Sequence, residues 1–356
     1  MNLDSVTVLE GLLRQFSPTG QENSAADYLV DVMQQMGYQA HRDSVGNAVG
    51  TIGNGSREIL LLGHIDTVPG EILVRQENNK IYGRGAVDAK GPLASFVCAG
   101  AAANIHPDWR ITVIGAVGEE GDSRGAKYLC ASYPAPTMVI IGEPSGWEGV
   151  TLGYKGSFWA EITIRQTVSH TASNTGSACD QAFAFWTVLN QAVFTWNTGK
   201  GRVFDQITPS LRGMKSDFDG FTETAALKVN FRIPIGINQK FIENLIRDCQ
   251  NGIQIEYAVL DFLPAFQAEK NTALVRAFLA GIRKAGGSPG FKLKTGTADM
   301  NLVGPAWEIP TVAYGPGDSN LDHTPDEHIE LSEYLSGIQI LVNTLEKIQE
   351  DQKSVF

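Results

Sequence analysis

In the segment "LLLGHIDTVPG" (residues 60–70) a histidine and an aspartate lie two places apart at the end of an apolar run. Residues i and i+2 of a strand share a face, so His64 and Asp66 point the same way. Other β-rich runs end in similar residues. "RITVIGAVGEEG" runs into Glu119 and Glu120, "TMVIIGEP" into Glu143, and "TVAYGPGDSNLDHTPDEH" carries His323 beyond its strand. "YGRGAVDAKG" puts Asp88 just before an apolar helix. Ligands of open α/β sheets collect outside the carboxyl ends of strands, which directs all these residues to one crevice.

Two histidines with three or four carboxylates form the donor set of a pair of divalent ions, zinc above all. One carboxylate must bridge ions that sit ~3.5–4 Å apart, and another must stay free to act on water. Adjacent Glu119 and Glu120 suit that division, because neighbouring side chains diverge. Asp66, on the face of His64, is placed to orient its imidazole. Each residue taken singly also has a plain reading: His64 as a polar strand end, Glu143 as a strand terminator, His323 as an exposed loop residue. His41 and His106 have no such company, and His328 is expected on the surface, in the first turn of the last helix.

The elements that must position these groups follow from periodicity. Residues 4–16 and 22–36 carry apolar side chains at helical spacing, separated by the turn "SPTGQE". Near-continuous apolar strands then alternate with helices such as "GPLASFVCAGAAANI", the pattern of an α/β domain whose sheet is covered on both faces. From about 155 to 262 the order changes to strand ("SFWAEITIRQ"), long helix ("ACDQAFAFWTVLNQAVFTW"), strand ("AALKVNFRIPIG"), helix ("KFIENLIRDCQ") and strand ("IQIEYAVLDF"). Residues 201–216 leave room for one more strand, which makes a small α+β sandwich of the split βαβ, ferredoxin-like kind. The expected organisation is one α/β domain, 1–154 with 263–356, interrupted by an inserted domain at 155–262.

Composition narrows the partners. The formal charge of -11 over 356 residues argues against nucleic acid, since phosphate binding needs a cationic surface. No stretch approaches the ~20 apolar residues of a membrane helix. Met1–Thr7 has no basic region and no long apolar run follows, so no signal peptide is expected. The widely spaced Cys98, Cys130, Cys179 and Cys249 read as free thiols of a reducing compartment, the cytoplasm.

The segments "SPTGQE", "GHIDTVP", "YGRGAVDAKG", "GEEGDSRGAKYL", "GEPS", "GYKG" and "DHTPDEHI" strongly resemble the co-catalytic zinc metallopeptidase family, which includes acetylornithine deacetylase, succinyl-diaminopimelate desuccinylase and carboxypeptidase G. They span nearly the whole chain in the family's order. The resemblance implies a mixed-sheet catalytic domain with an inserted dimerisation or lid domain, and two zinc ions per subunit for which cobalt substitutes. It implies that Asp88 bridges the ions, that His64 and Glu143 hold one and Glu120 and His323 the other, and that Glu119 is the general base. It also implies a cis peptide at Asp88–Ala89 and a homodimer in which a loop histidine reaches the partner's active site. His170 in "QTVSHTAS" is the candidate, although Thr171 and Ala172 stand where the family usually has serines.

Two rival motifs are weaker. "GRGAVD" lacks the third glycine of a dinucleotide-binding turn. "GDSRG" (121–125) fits the nucleophile elbow of a serine hydrolase, with His323 following in the expected order. Two glutamates and three further residues separate Ser123 from "ITVIGAV", and a serine mechanism leaves Asp66, Asp88, Glu120 and Glu143 idle. Ser123 is better read as the cap of a helix starting near Arg124.

For substrate, "KTGTADMNLVGPAWEIPTVAYGPGDSNLDHTPDEHIEL" resembles the branch that releases lysine or ornithine from the terminal glutamate of an acidic amino-group carrier protein. Lys155 and Arg232 are cations available to a carboxylate or to structural ion pairs, and Thr297 and Asp299 are candidate pocket residues. Residues 153–263 hold ten Lys/Arg and ten Asp/Glu, so the rest of the chain carries the whole -11. An acidic carrier therefore requires a docking face near Arg202, Arg212, Lys215 and Lys228. The alternatives are a deacylase of small N-acyl amino acids (acetylornithine, acetyl-lysine or succinyl-diaminopimelate), a dipeptidase, or a non-catalytic binding protein that keeps the fold, against which an intact Glu119 argues.

Overall fold

The computed structural model describes residues 3–168, 170 and 176–351. In chain order its elements begin with α1 (Ser5–Leu13), α2 (Asn23–Gln35), β1 (Gln39–Arg42), β2 (Ala48–Gly53), β3 (Arg57–His64), β4 (Arg75–Glu77), β5 (Lys80–Tyr82) and α3 (Lys90–Ala102). Next come β6 (Trp109–Ala116), α4 (Arg124–Ser132), β7 (Met138–Gly142), β8 (Gly149–Tyr154), β9 (Gly156–Thr167), α5 (Ala178–Asn197), β10 (Thr208–Phe218), β11 (Thr222–Ile233) and α6 (Gln239–Asp248). The chain continues through β12 (Ile255–Leu263), β13 (Phe266–Gln267), α7 (Ala273–Lys284), β14 (Gly290–Lys294), α8 (Met300–Trp307), β15 (Thr311–Tyr314), β16 (His328–Glu330) and α9 (Leu331–Asp351).

It divides into two compact units: unit 1 is Met1–Gly153, Ala268–Leu293 and Ala298–Phe356, and unit 2 is Tyr154–Gln267 with Lys294–Thr297. The second unit thus extends past the 155–262 read from periodicity and also takes four residues from a later part of the chain. Lys294 accounts for part of this, since its carbonyl accepts the backbone N–H of Lys155.

Unit 1 is built on a mixed sheet in the order β1-β2-β6-β3-β7-β15-β8. Strands β6, β3, β7 and β15 are parallel to one another, while β2 and β8 run antiparallel at the flanks. Seven consecutive residues of β3, Glu58–His64, are buried, which requires cover on both faces of the sheet. Helix α3, buried from Lys90 to Gly100, packs on β3, β6 and β7 and against α1 and α9. The core joins Leu61, Val113, Ile140 and Val312 of the strands to Leu93, Phe96 and Phe278 of the helices.

Unit 2 has the order β10-β11-β9-β12, antiparallel throughout. With α5 and α6 as the crossovers, this is the ferredoxin-like βαββαβ arrangement. Residues Ala178, Ala182, Phe185, Leu189 and Val193 form the buried stripe of α5, at the spacing of a helix packed on a sheet. Ser177 and Asp180 form a reciprocal capping box at its start. Along most of β12 half-buried and exposed positions alternate, the mark of a sheet covered on one face.

Two local readings are corrected and one strand is added. His328 lies in β16, paired with Tyr82 of β5, rather than in a first helical turn, since α9 begins only at Leu331. Ser123 precedes α4 but takes φ 51° and its side chain makes no capping hydrogen bond. Strand β8, "GVTLGY", carries no turn signal strong enough to have marked it beforehand. The four cysteines are free. Among the described residues no helix is long and apolar enough to cross a membrane.

Candidate metal centre

Because β6, β3, β7 and β15 are parallel neighbours, their carboxyl ends reach one edge of the sheet. The register makes this concrete: His64 is opposite Ala116, Gly63 is opposite both Gly115 and Gly142, and Gly142 is opposite Tyr314. His64 is the last residue of β3, and Glu143 follows the last residue of β7. Glu119 and Glu120 lie in the turn after β6, which Gly118 enters at φ 82°, a conformation that favours glycine. Asp88 precedes α3, and the Asp88–Ala89 peptide is cis, as the resemblance implies. His323 sits in the loop after β15 at φ 62°, a region residues other than glycine seldom occupy.

These side chains meet around Asp88. His64 Nε2 is 3.1 Å from Asp88 Oδ1, His323 Nε2 is 3.1 Å from Asp88 Oδ2, and His323 Nε2 is 2.8 Å from Glu120 Oε1. His64, Asp88 and Glu143 bring ligand atoms within 4.8 Å of one another, and so do Asp88, Glu120 and His323. Asp88 belongs to both groups and faces each with a different oxygen.

Asp66 organises two neighbours at once. The Nδ1–H of His64 donates to the Asp66 backbone carbonyl at 2.9 Å, while the Asp66 carboxylate lies 3.6 Å from that nitrogen. The carboxylate instead accepts the backbone N–H groups of Glu119 (3.0 Å) and Glu120 (3.1 Å) and the Thr19 hydroxyl (2.8 Å). The orientation of the imidazole is therefore set first by a main-chain carbonyl, and the acid fixes the glutamate turn.

Electrostatics reflects the crowding. Burial pushes Asp88 up, but hydrogen bonds and charges from His323 and His64 outweigh it and hold it well below the carboxylate range. His323 is pushed up to about 10, chiefly by its hydrogen bonds to Asp88 and Glu120. Burial opposes a charged His64, yet hydrogen bonds to Asp66 and Asp88 hold it well above its ordinary value. Glu119 is raised well above its ordinary value by burial first, against the charge of His64, with Glu143, Asp299 and Glu120 adding repulsion. Asp299 is raised to about 7 by burial.

Gathering two further carboxylates and two imidazoles around Asp88 is costly unless positive charge sits between them. The raised values of both imidazoles express that demand for positive charge. A divalent cation supplies the same charge through the same nitrogen and oxygen donors, so the set fits a metal.

The other expected site residues separate. Lys155 is fully buried, and its ammonium donates to the carbonyls of Val203 (3.1 Å) and Gln206 (2.5 Å) and to the Thr208 hydroxyl (3.0 Å). Burial lowers it to about 8, with a contribution from Arg232. It fastens the 203–208 segment inside unit 2. Arg232 is half-buried and donates to the Thr297 hydroxyl at 3.1 Å, also within unit 2. Asp299 is buried in unit 1, its charge felt at Glu119 and its own carboxyl biased by His64 and Asp66. His170 is exposed, while Thr171 and Ala172 lie outside the described residues.

Sequence reasoning missed Arg84, Lys90 and Glu327, all buried. Each sits inside a motif already quoted. Only Lys90 carries a signal, a charged residue leading into a segment otherwise too apolar to leave it in water. The Lys90 ammonium donates to the Gln15 carbonyl at 2.6 Å, and burial lowers it to about 7 against the pull of Glu327 and Asp66.

Comparison with known proteins agrees with this geometry. Residues 60–347 match the family model described as peptidase family M20/M25/M40. The chain is 40% identical over 345 residues to a LysW-lysine hydrolase of Deinococcus radiodurans, covering 93% of each. It is 30% identical over 340 residues to a LysW-lysine/LysW-ornithine hydrolase of Sulfurisphaera tokodaii, covering 95% of this chain and 93% of that one. In fold it is similar to an M20 family metallo-carboxypeptidase of Sulfolobus solfataricus, with TM-score 0.77 at 17% identity over 97% of this chain and 99% of the other. A chain matched over most of its length, with two such donor groups at the ends of its parallel strands, belongs to peptidase family M20/M25/M40, metal-dependent hydrolases of amide bonds.

Proposed function

We propose that the protein releases lysine or ornithine from an acidic amino-group carrier protein by hydrolysing the amide that joins the amino acid to the carrier's terminal glutamate. The substrate reading rests on the relatives named for LysW-lysine and LysW-ornithine. The reaction reading rests on one observation, the sharing of Asp88 between two histidine-carboxylate groups. His64 and Glu143 would hold one zinc ion and Glu120 and His323 the other, with Asp88 between them and cobalt as a working substitute.

Bound in this way, the ions lower the pKa of water towards neutrality and polarise a carbonyl. Glu119 does the proton work. Its carboxyl is raised by burial and by neighbouring acids, which suits a base operating near neutral pH. It takes a proton from the attacking water as the new C–O bond forms, and delivers it to the nitrogen as the C–N bond breaks. Asp66 keeps Glu119 in register through the backbone N–H it accepts. In this reading Arg232, held by Thr297, meets a substrate carboxylate and Asp299 lines the pocket. A homodimer forms through unit 2, with His170 of the second copy as an oxyanion donor. We place the activity in the cytoplasm, where the amino acid is made.

Charge supports a protein partner only locally. Arg212 and Lys215 are exposed on β10 and Lys228 on β11, while Arg202 is already paired with Asp205 at 2.6 Å. The docking face is then the β10–β11 side rather than the Arg202 loop.

The test is an assay of zinc- and cobalt-loaded protein against carrier-linked lysine, carrier-linked ornithine, acetylornithine and succinyl-diaminopimelate. Preference for a carrier-linked substrate by about 100-fold or more in kcat/KM, some 2.8 kcal/mol, is the expected result. Equal or faster turnover of a small acyl amino acid would move the protein to the deacylase alternative.

A further inference from the structure

Arg84 and Glu327 form a buried ion pair in unit 1, with Arg84 Nη1 2.8 Å from Glu327 Oε2 and side-chain exposures of 8% and 1%. What distinguishes the pair is where its remaining atoms go. Glu327 Oε1 accepts two successive backbone N–H groups, those of Val87 (3.0 Å) and Asp88 (3.1 Å). Arg84 donates through Nε to the Gly70 carbonyl (2.9 Å) and through Nη1 to the Thr324 carbonyl (3.1 Å). The backbone N–H of Gly83 closes the arrangement on the Glu327 carbonyl at 3.3 Å.

Those four attachments lie on three separate loops. Gly70 lies in the loop that follows His64 and contains Asp66, Val87 and Asp88 precede α3, and Thr324 is the neighbour of His323. From these contacts we infer that the Arg84–Glu327 pair is a positioning device for Asp88, clamping its backbone and tying it to the loop that follows His64 and the loop that carries His323. The inference rests on the metal reading of the site given above.

The physical reason lies in the shared role of Asp88. A ligand that faces two groups with its two oxygens tolerates little rotation of its backbone, since any turn that improves one contact spoils the other. Two N–H groups held by a single carboxylate oxygen remove that freedom, and a buried ionised acceptor holds them more strongly than a neutral one. Arg84 places its guanidinium on the other Glu327 oxygen, so neither buried charge is left without a partner. A pair needed only for packing stability requires neither the two consecutive amides nor carbonyls on the loop after His64 and the loop of His323.

The inference separates from a purely structural role by metal affinity. Glu327→Gln keeps the side-chain length but turns a donor group towards Arg84 or towards the two amides. Glu327→Asp keeps the charge but draws the carboxylate back by one methylene. Stepwise affinities of the parent and both variants for Co2+ and Zn2+ are measured by chelator competition, with the visible spectrum of the Co2+ forms and far-ultraviolet circular dichroism as a check of folding. The expected result is a loss of tenfold or more for both ions together, with a changed Co2+ spectrum, in protein that remains folded. Glu143→Gln, which touches only one group, should weaken one ion.

Affinities within twofold of the parent in a folded variant, or a loss confined to one ion, overturn the inference. So does failure of both variants to fold, which would assign the pair to stability alone. A parent that binds fewer than two ions overturns the metal reading itself, whatever the variants do.

Discussion

The two units use their sheets in opposite ways. In unit 1 four neighbouring parallel strands are buried on both faces and bring their carboxyl ends to one edge, where His64, Glu119, Glu120 and Glu143 stand. In unit 2 each strand runs against its neighbours, so strand ends alternate between two edges. Two of its buried polar side chains serve the unit itself: Lys155 fastens the 203–208 segment, and Asn230 donates to the Ser157 hydroxyl at 2.8 Å. Parallel strands concentrate chemistry and antiparallel ones disperse it, from similar residues. The location of the reaction centre follows from strand direction as much as from composition.

This contrast can be broken in order of effect. Glu119→Gln should lower kcat by about 10²–10⁴-fold, with metal content unchanged by elemental analysis; lost metal would transfer Glu119 to the ligand set. Phe158→Ala removes a core ring of unit 2 that meets Phe231 edge-on at 6.0 Å. It should cost about 3–5 kcal/mol in denaturant unfolding, with metal per folded chain unaltered. If metal were lost from folded protein, the two units would not be the separate systems drawn here. Ser177→Ala, which destroys the capping box of α5, should cost about 1 kcal/mol. Phe183→Ala, on the exposed side of α5, should stay within about 0.5 kcal/mol.

The smallest effect concerns pH and the metal-free protein. Hydrogen bonds to Asp88 and Glu120 raise His323 from 6.5 to about 10 in the folded state. A raised value means stabilisation that is complete below the unfolded value and lost as pH climbs through the folded one. The stability difference between parent and His323→Asn should therefore be largest below about pH 6.5 and vanish near pH 10. Because His323 is half-exposed, solvent keeps that difference modest. A difference that grows with pH would show that His323 is not held protonated by these acids.

Much of this was legible beforehand, for identifiable reasons. Acids and histidines at the ends of apolar runs stand out against a strand pattern, and parallel pairing then brings them together. The order of elements in unit 2 was readable because α5 carries a clean helical stripe and β12 an alternating one. Other features had no local signal. Ser123 has the type and place of a cap, yet its positive φ turns the side chain from the role. Lys155 reads as an available cation until the 203–208 segment is seen to wrap its ammonium. Arg84 and Glu327 were inside recognised motifs, but nothing nearby reveals their pairing.

The amino-acid sequence alone determined the chemical inventory: which donors exist, which strands deliver them, and which family the chain resembles. These are properties of residue type and short-range spacing, and both are written along the chain. Tertiary structure decided which acceptor each group meets. Asp66 holds the amides of residues 53 and 54 positions away, and Arg84 meets an acid 243 positions away. A buried hydrogen bond depends on distances of a few tenths of an ångström between distant loops, and those distances exist only once the sheet and its helices have packed.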